Sequence, residues 1–113
     1  MVNAVKYLSA TTLIGDNVEN PQGESLGDLK EIMLDTVEGR ISYAVLSFGG
    51  VLGMGDKLFA VPWKSLTVDH AGHKLILDVR KDRLKDAPGF DKDNWPNFAD
   101  TTFAKAINAY YVR

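Results

Sequence analysis

Over most of the first eighty residues, apolar and polar positions alternate with a period near two, and breaks bearing glycine or proline cut the pattern into pieces of strand length. Residues 9–16 form a lead-in that ends at Gly15, and a short strand is expected over 17–20. Asn20-Pro21-Gln22-Gly23 reads as a turn, because proline presets φ at the second position and glycine suits the fourth. The next strand is predicted over 24–34, with Gly27 marking a bulge or a sharp coil. Residues 35–40 turn the chain, and Gly39 is the one suited to positive φ. Ile41–Phe48 is dense in β-formers. A strand over 58–61 stops at Pro62, whose nitrogen cannot donate to a ladder, and residues 63–66 make a corner. Residues 67–68 and 74–79 form a hairpin around His70 and His73, with Leu75, Leu77 and Val79 alternating against Lys74, Ile76 and Asp78.

The Ile41–Phe48 segment has two apolar faces. Ile41, Tyr43 and Val45 point one way, and Ala44, Leu46 and Phe48 the other. A strand of this kind is covered on both sides. A barrel core covers one, so the C-terminal segment or another protomer is expected on the second. After Arg80 the pattern changes. Residues 81–87 suggest one or two helical turns ended by Pro88-Gly89, and residues 90–96 a loop holding Phe90 and Trp95. Asp100 can cap a final helix over 101–111, with Phe103, Ile107, Tyr110 and Tyr111 on one face. The expected fold is mainly β: a small barrel of about six antiparallel strands in residues 1–80, followed by a helical extension, residues 81–113, packed on the barrel or on a second protomer.

Composition narrows the function classes. A chain of 113 residues has room for one core. With 45% hydrophobic and 25% charged residues it has the balance of a folded domain. The net charge is −2 and the basic residues are interleaved with acids, so no direct nucleic-acid contact is expected. There is no cysteine, which removes disulfides, thiolate metal sites and thiol nucleophiles and suits a reducing compartment. Met1–Lys6 lacks the apolar core of a secretion signal, and the longest uncharged run, Ile41–Gly55, is shorter than the ~20 residues needed to cross a bilayer. A cytoplasmic protein without a transmembrane segment is therefore expected.

The candidate chemical motifs fail on particular residues. Gly50–Lys57 approaches a phosphate-binding loop, but Asp56 stands where lysine is needed, Lys57 replaces the Ser or Thr that would hold magnesium, and a strand follows instead of a helix. His70 and His73 have no evident third ligand beyond Asp69. Asp91-Lys92-Asp93 begins like a calcium loop but carries Pro96 and Thr102 where Gly and Glu are required. Gly23-Glu24-Ser25-Leu26-Gly27 has the Gly-x-Ser-x-Gly spacing, but it runs into the strand predicted over 24–34 and no helix follows Ser25, so it makes no nucleophile elbow. No catalytic, metal or cofactor residue is assigned, and the chain is expected not to be an enzyme. The candidate interaction surface is apolar instead: Val51, Leu52 and Met54 on the glycine-rich loop, Phe48 beside it, and the aromatics Trp95, Phe98, Phe103, Tyr110 and Tyr111 of the tail.

Several stretches together resemble the PRC-barrel family. They are Leu13-Ile14-Gly15 leading to Val18; Asn20-Pro21-Gln22-Gly23-Glu24 leading to Gly27; Leu34-Asp35; Gly39-Arg40-Ile41; Tyr43–Gly50; and Lys57–Trp63. That family is named for the cytoplasmic domain of the photosynthetic reaction-centre H subunit and includes the C-terminal barrel of a bacterial ribosome-maturation factor. The resemblance covers about residues 9–80, and the tail with Ala87–Phe90 and Asn94–Pro96 looks like that of free-standing bacterial members. It implies a barrel fold and a role in protein contact or assembly, with no catalytic residue. The expected function is a non-catalytic interaction module that self-associates as a homodimer. The alternatives are an adaptor on a membrane-associated, photosynthetic-type complex reached through a protein partner, a ribosome-associated factor, and a small-molecule binder.

Overall fold

The computed structural model describes residues 7–48 and 57–111. The chain opens with a single helical turn, α1 (Ala10–Leu13), capped by the Ser9 side chain, which accepts from the Thr12 amide at 3.2 Å. β1 (Asn17–Glu19), β2 (Ser25–Asp35), β3 (Arg40–Phe48) and β4 (Lys57–Pro62) follow, and a 3-10 turn at Trp63–Ser65 leads into β5 (Leu66–Asp69) and β6 (Lys74–Leu77). Helix α2 (Lys81–Lys85), the two-residue strand β7 (Gly89–Phe90) and helix α3 (Thr101–Tyr111) complete it.

The strands form one seven-stranded sheet in the order β5-β6-β1-β2-β3-β4-β7. β4 and β5 stand five strand positions apart in that order, roughly 24 Å in a flat sheet with strands ~4.8 Å apart. Yet only Trp63–Ser65 joins them, and four Cα steps reach at most roughly 14 Å. The sheet therefore curls back on itself. No ladder joins its two edges among the described residues, so the expected closed, six-stranded antiparallel barrel gives way to a seven-stranded mixed sheet.

Two further corrections have local causes. The Gly89–Phe90 pair, expected as loop, adds a seventh strand by pairing with Phe59 and Leu58 of β4. β1 and β6 run parallel, Val18 opposite Leu75 and Glu19 opposite Ile76, while every other pair is antiparallel. The reason lies in the corner. β1 to β4 alternate in direction; the 3-10 turn carries the chain onward without reversing it, so the β5–β6 hairpin brings β6 back alongside β1 in the same sense. A Lys74–Glu19 ion pair at 3.1 Å lies on this seam.

The inner face of the sheet holds the main core. Val18, Leu26, Leu29, Ala44, Leu46, Phe59, Val61, Leu75 and Leu77 belong to one buried cluster, closed by Leu13, Leu84 and Ala87. Trp63, at the corner, is half-buried against it. A second, smaller cluster on the outer face joins Tyr43, Ala60 and Ile107, with Met33, Phe90, Phe98 and Phe103 packed around them. Both faces of β3 are thus covered, the outer one by α3 and the 90–98 segment of the same chain. α3 starts where expected: the Asp100 carboxylate accepts from the Thr102 amide at 2.8 Å.

Candidate functional site

The outer aromatic layer uses several of the residues read as a contact surface. Phe98 lies 5.4 Å from Tyr43 and 5.4 Å from Phe103 between ring centroids, and Phe103 lies 6.1 Å from Tyr43. Phe98 and Phe103 are half-buried in this layer, and burial raises the Tyr43 phenol above its ordinary pKa. Trp95 is at the rim, 5.1 Å from Phe90, and remains 38% exposed. Phe48 faces inward, 6.4 Å from Phe59, with the Lys81 ammonium 5.8 Å from its ring. Tyr110 and Tyr111 are half-buried at the end of α3. Val51, Leu52 and Met54 lie outside the described residues.

The residues that the alternation failed to single out are at the end of the β2–β3 hairpin. Leu34 is 64% exposed and Val37 90% exposed. The Asp35 carboxylate accepts from the amides of Val37 and Glu38, both at 3.0 Å, and the Gly39 amide donates to the Asp35 carbonyl at 2.8 Å. The turn is tightly hydrogen-bonded, so Val37 is held outward by its backbone. A β-branched residue at a turn apex was the available signal, since turns favour Gly, Asn, Asp and Pro. Leu34 was masked by its place in a strand pattern that otherwise reads as core.

The backbone of β2 adds to this. β1 pairs with β2 only as far as Asp28, and one further exchange links Leu29 to Gly15 and Asp16. From Lys30 to Asp35, β2 has β3 on one side and no strand on the other among the described residues. A groove of about 350 Å³ over the β2–β3 hairpin has Met33, Leu34, Asp35 and Thr36 on one wall and Ser42, Tyr43 and Phe98 on the other. Exposed Leu34 thus stands on the stretch of β2 that has no second strand beside it among the described residues.

At the other end of the molecule α2 and α3 are clasped together. Arg83 donates from Nη2 to the Tyr110 carbonyl at 2.8 Å, its guanidinium lies 4.2 Å from the Tyr110 ring centroid, and the Tyr110 hydroxyl donates to the Arg83 carbonyl. A cleft of about 640 Å³ borders this clasp, with Ser65, Asp78, Arg80, Arg83, Tyr110 and Tyr111 on its walls. His70 and His73 sit exposed in the β5–β6 turn. Among the described residues no three His, Cys, Asp or Glu side chains are grouped as a metal ion would require, and no helix is long and apolar enough to cross a membrane.

The PRC-barrel domain family model matches residues 6–84, a span that holds β1 to β6 and most of α2. No match is found among curated proteins.

Proposed function

The chain belongs to the PRC-barrel family, and from that membership we propose that it is a non-catalytic assembly module that pairs with a second copy of itself along the open edge of β2. The observation that carries this reading is the coincidence of exposed Leu34 and Val37 with a strand edge that has no neighbour from Lys30 to Asp35 among the described residues. Unpaired strand backbone is a template for a further strand. Two copies related by a twofold axis present the same patch to each other.

The charge pattern along β2 favours one register. An antiparallel pairing centred on Ile32 sets Ile32 opposite Ile32, Glu31 opposite Met33, and Lys30 opposite Leu34, with no like charges opposed. Centring on Glu31 opposes two glutamates, and centring on Met33 opposes Glu31 to Asp35. Like charges directly across a ladder are destabilising. The lysine stem covering Leu34 is the arrangement expected of an amphipathic side chain.

Light scattering at micromolar concentration is expected to give a two-chain mass. Leu34→Lys places lysine opposite Lys30 twice per dimer, at ~0.5–1 kcal/mol each, and should weaken association about fivefold to thirtyfold. Leu34→Glu offers Lys30 a partner and should leave the dimer intact. Leu34 is 64% exposed, so neither change disturbs the core. A monomer at these concentrations, or equal behaviour of the two variants, sinks the proposal.

A further inference from the structure

We infer that the cleft between the end of β6, α2 and the last turn of α3 binds a small monocarboxylate. Two donors on its wall residues, Arg83 Nε and the Tyr111 hydroxyl, are buried and have no hydrogen-bond partner among the described residues. Buried donors in folded proteins have acceptors almost without exception, so two orphans beside one cleft point to an acceptor that the described residues do not supply. Both remain donors at neutral pH. The guanidinium is permanently charged, and burial, with the neighbouring Tyr110 adding to it, pushes the Tyr111 phenol well above its ordinary value despite the opposing effect of Arg83.

The competing account is that Arg83 only caps the C-terminal end of α3. That account explains its bond to the Tyr110 carbonyl and its stacking on the Tyr110 ring. It leaves Nε and the Tyr111 hydroxyl without a role.

Charge fixes the class of guest. Arg80 and Arg83 on the walls face one acid, Asp78. Arg80 also contacts Asp82 at 3.5 Å in the open, and the carbonyl end of α3 carries partial negative charge. The balance accommodates a single negative charge and opposes a dianion such as phosphate. Leu77 and Val79 on the same walls suit a guest with a short apolar body. Neither orphan donor reaches solvent, so binding includes a side-chain rotation, and a dissociation constant on the order of 1 mM is expected.

The test is a titration of the full chain with sodium acetate, followed by backbone amide resonances, with sodium phosphate and ionic-strength-matched sodium chloride in parallel. Acetate is expected to give saturable shifts confined to residues 78–83 and 110–111, and phosphate weaker ones. Tyr111→Phe removes only an unpartnered oxygen, so it should keep the fold while weakening acetate binding at least about tenfold. Arg83→Lys keeps the charge and loses the Nε donor, with a loss of the same order. Shifts that fail to saturate or match those of chloride overturn the inference, as do unchanged affinity in both variants and phosphate binding as tight as acetate.

Discussion

Gly27→Ala is expected to leave the chain without its native sheet. Gly27 sits in β2 with φ +106°, where the β1–β2 register shifts. A Cβ at this position would lie 2.1 Å from the Ser47 carbonyl oxygen, 3.0 Å from its carbon and 3.2 Å from the Phe48 Cα, all backbone atoms of β3. No side-chain rotation relieves such a contact. The strands would have to separate by about an ångström where they pair most extensively, and β2 and β3 carry the centre of the core. The clash, together with a left-handed conformation that disfavours alanine by ~1–2 kcal/mol, should exceed ~4 kcal/mol, a large part of the ~5–15 kcal/mol that holds a domain together. Thermal melting followed by circular dichroism should show a loss of about 20 °C or more, or no folded protein at all. Gly15→Ala is the control: its φ is +99° with nothing within 4 Å of the added methyl, so only the conformational penalty of ~1–2 kcal/mol applies. Equal melting of the two variants would show that β3 yields at Ser47.

The second large effect is expected at Asn20, which is buried to 1% exposure. Its Oδ1 accepts from the amides of Gln22 at 3.1 Å and Glu24 at 2.9 Å, and its Nδ2 donates to Glu24 Oε1 at 2.8 Å and to the Val79 carbonyl at 3.3 Å. One side chain closes the 20–24 turn and ties it to the chain leaving β6. Asn20→Ala orphans two amides and a carbonyl, and should destabilise the protein by ~3–5 kcal/mol in urea unfolding at pH 7. Asn20→Asp separates the two halves of the network. It keeps the acceptor but turns an anionic oxygen toward the Glu24 carboxylate and the Val79 carbonyl. Burial and repulsion then raise the folded-state pKa of the new carboxyl. The penalty is therefore absent well below the unfolded value of about 4 and grows as pH rises through it. Acidification should narrow the gap between Asn20→Asp and wild type and leave that of Asn20→Ala nearly unchanged. A loss under ~1 kcal/mol for Asn20→Ala would assign the turn to Pro21 and Gly23 instead.

The same residues show how far a reading of the sequence reaches. The Asn20–Gly23 turn, the bulge at Gly27, the positive φ of Gly39 (+70°) and the Asp100 cap are all found where local chemistry puts them. Each depends on a backbone or side-chain property of one or two residues. The candidate contact surface was less legible, because aromatic content does not distinguish a ring buried in its own chain from one offered to a partner. Phe98 and Phe103 went into the layer over Tyr43, Trp95 stayed at its rim, and the most exposed branched residue of the hairpin, Val37, lay in a segment read only as a turn.

By itself the sequence determined where β1 to β6 and the final helix lie, which faces are apolar, and that β3 needs cover on both sides, because period and capping are properties of neighbours along the chain. Tertiary structure alone decided the parallel β1–β6 seam, the two-residue β7, the length of β2 with no second strand beside it among the described residues, and the clasp of Arg83 on Tyr110. Those features join residues far apart in the chain. Which strands meet depends on how the Trp63–Ser65 corner aims the chain and how far the sheet curls, and no local periodicity records either.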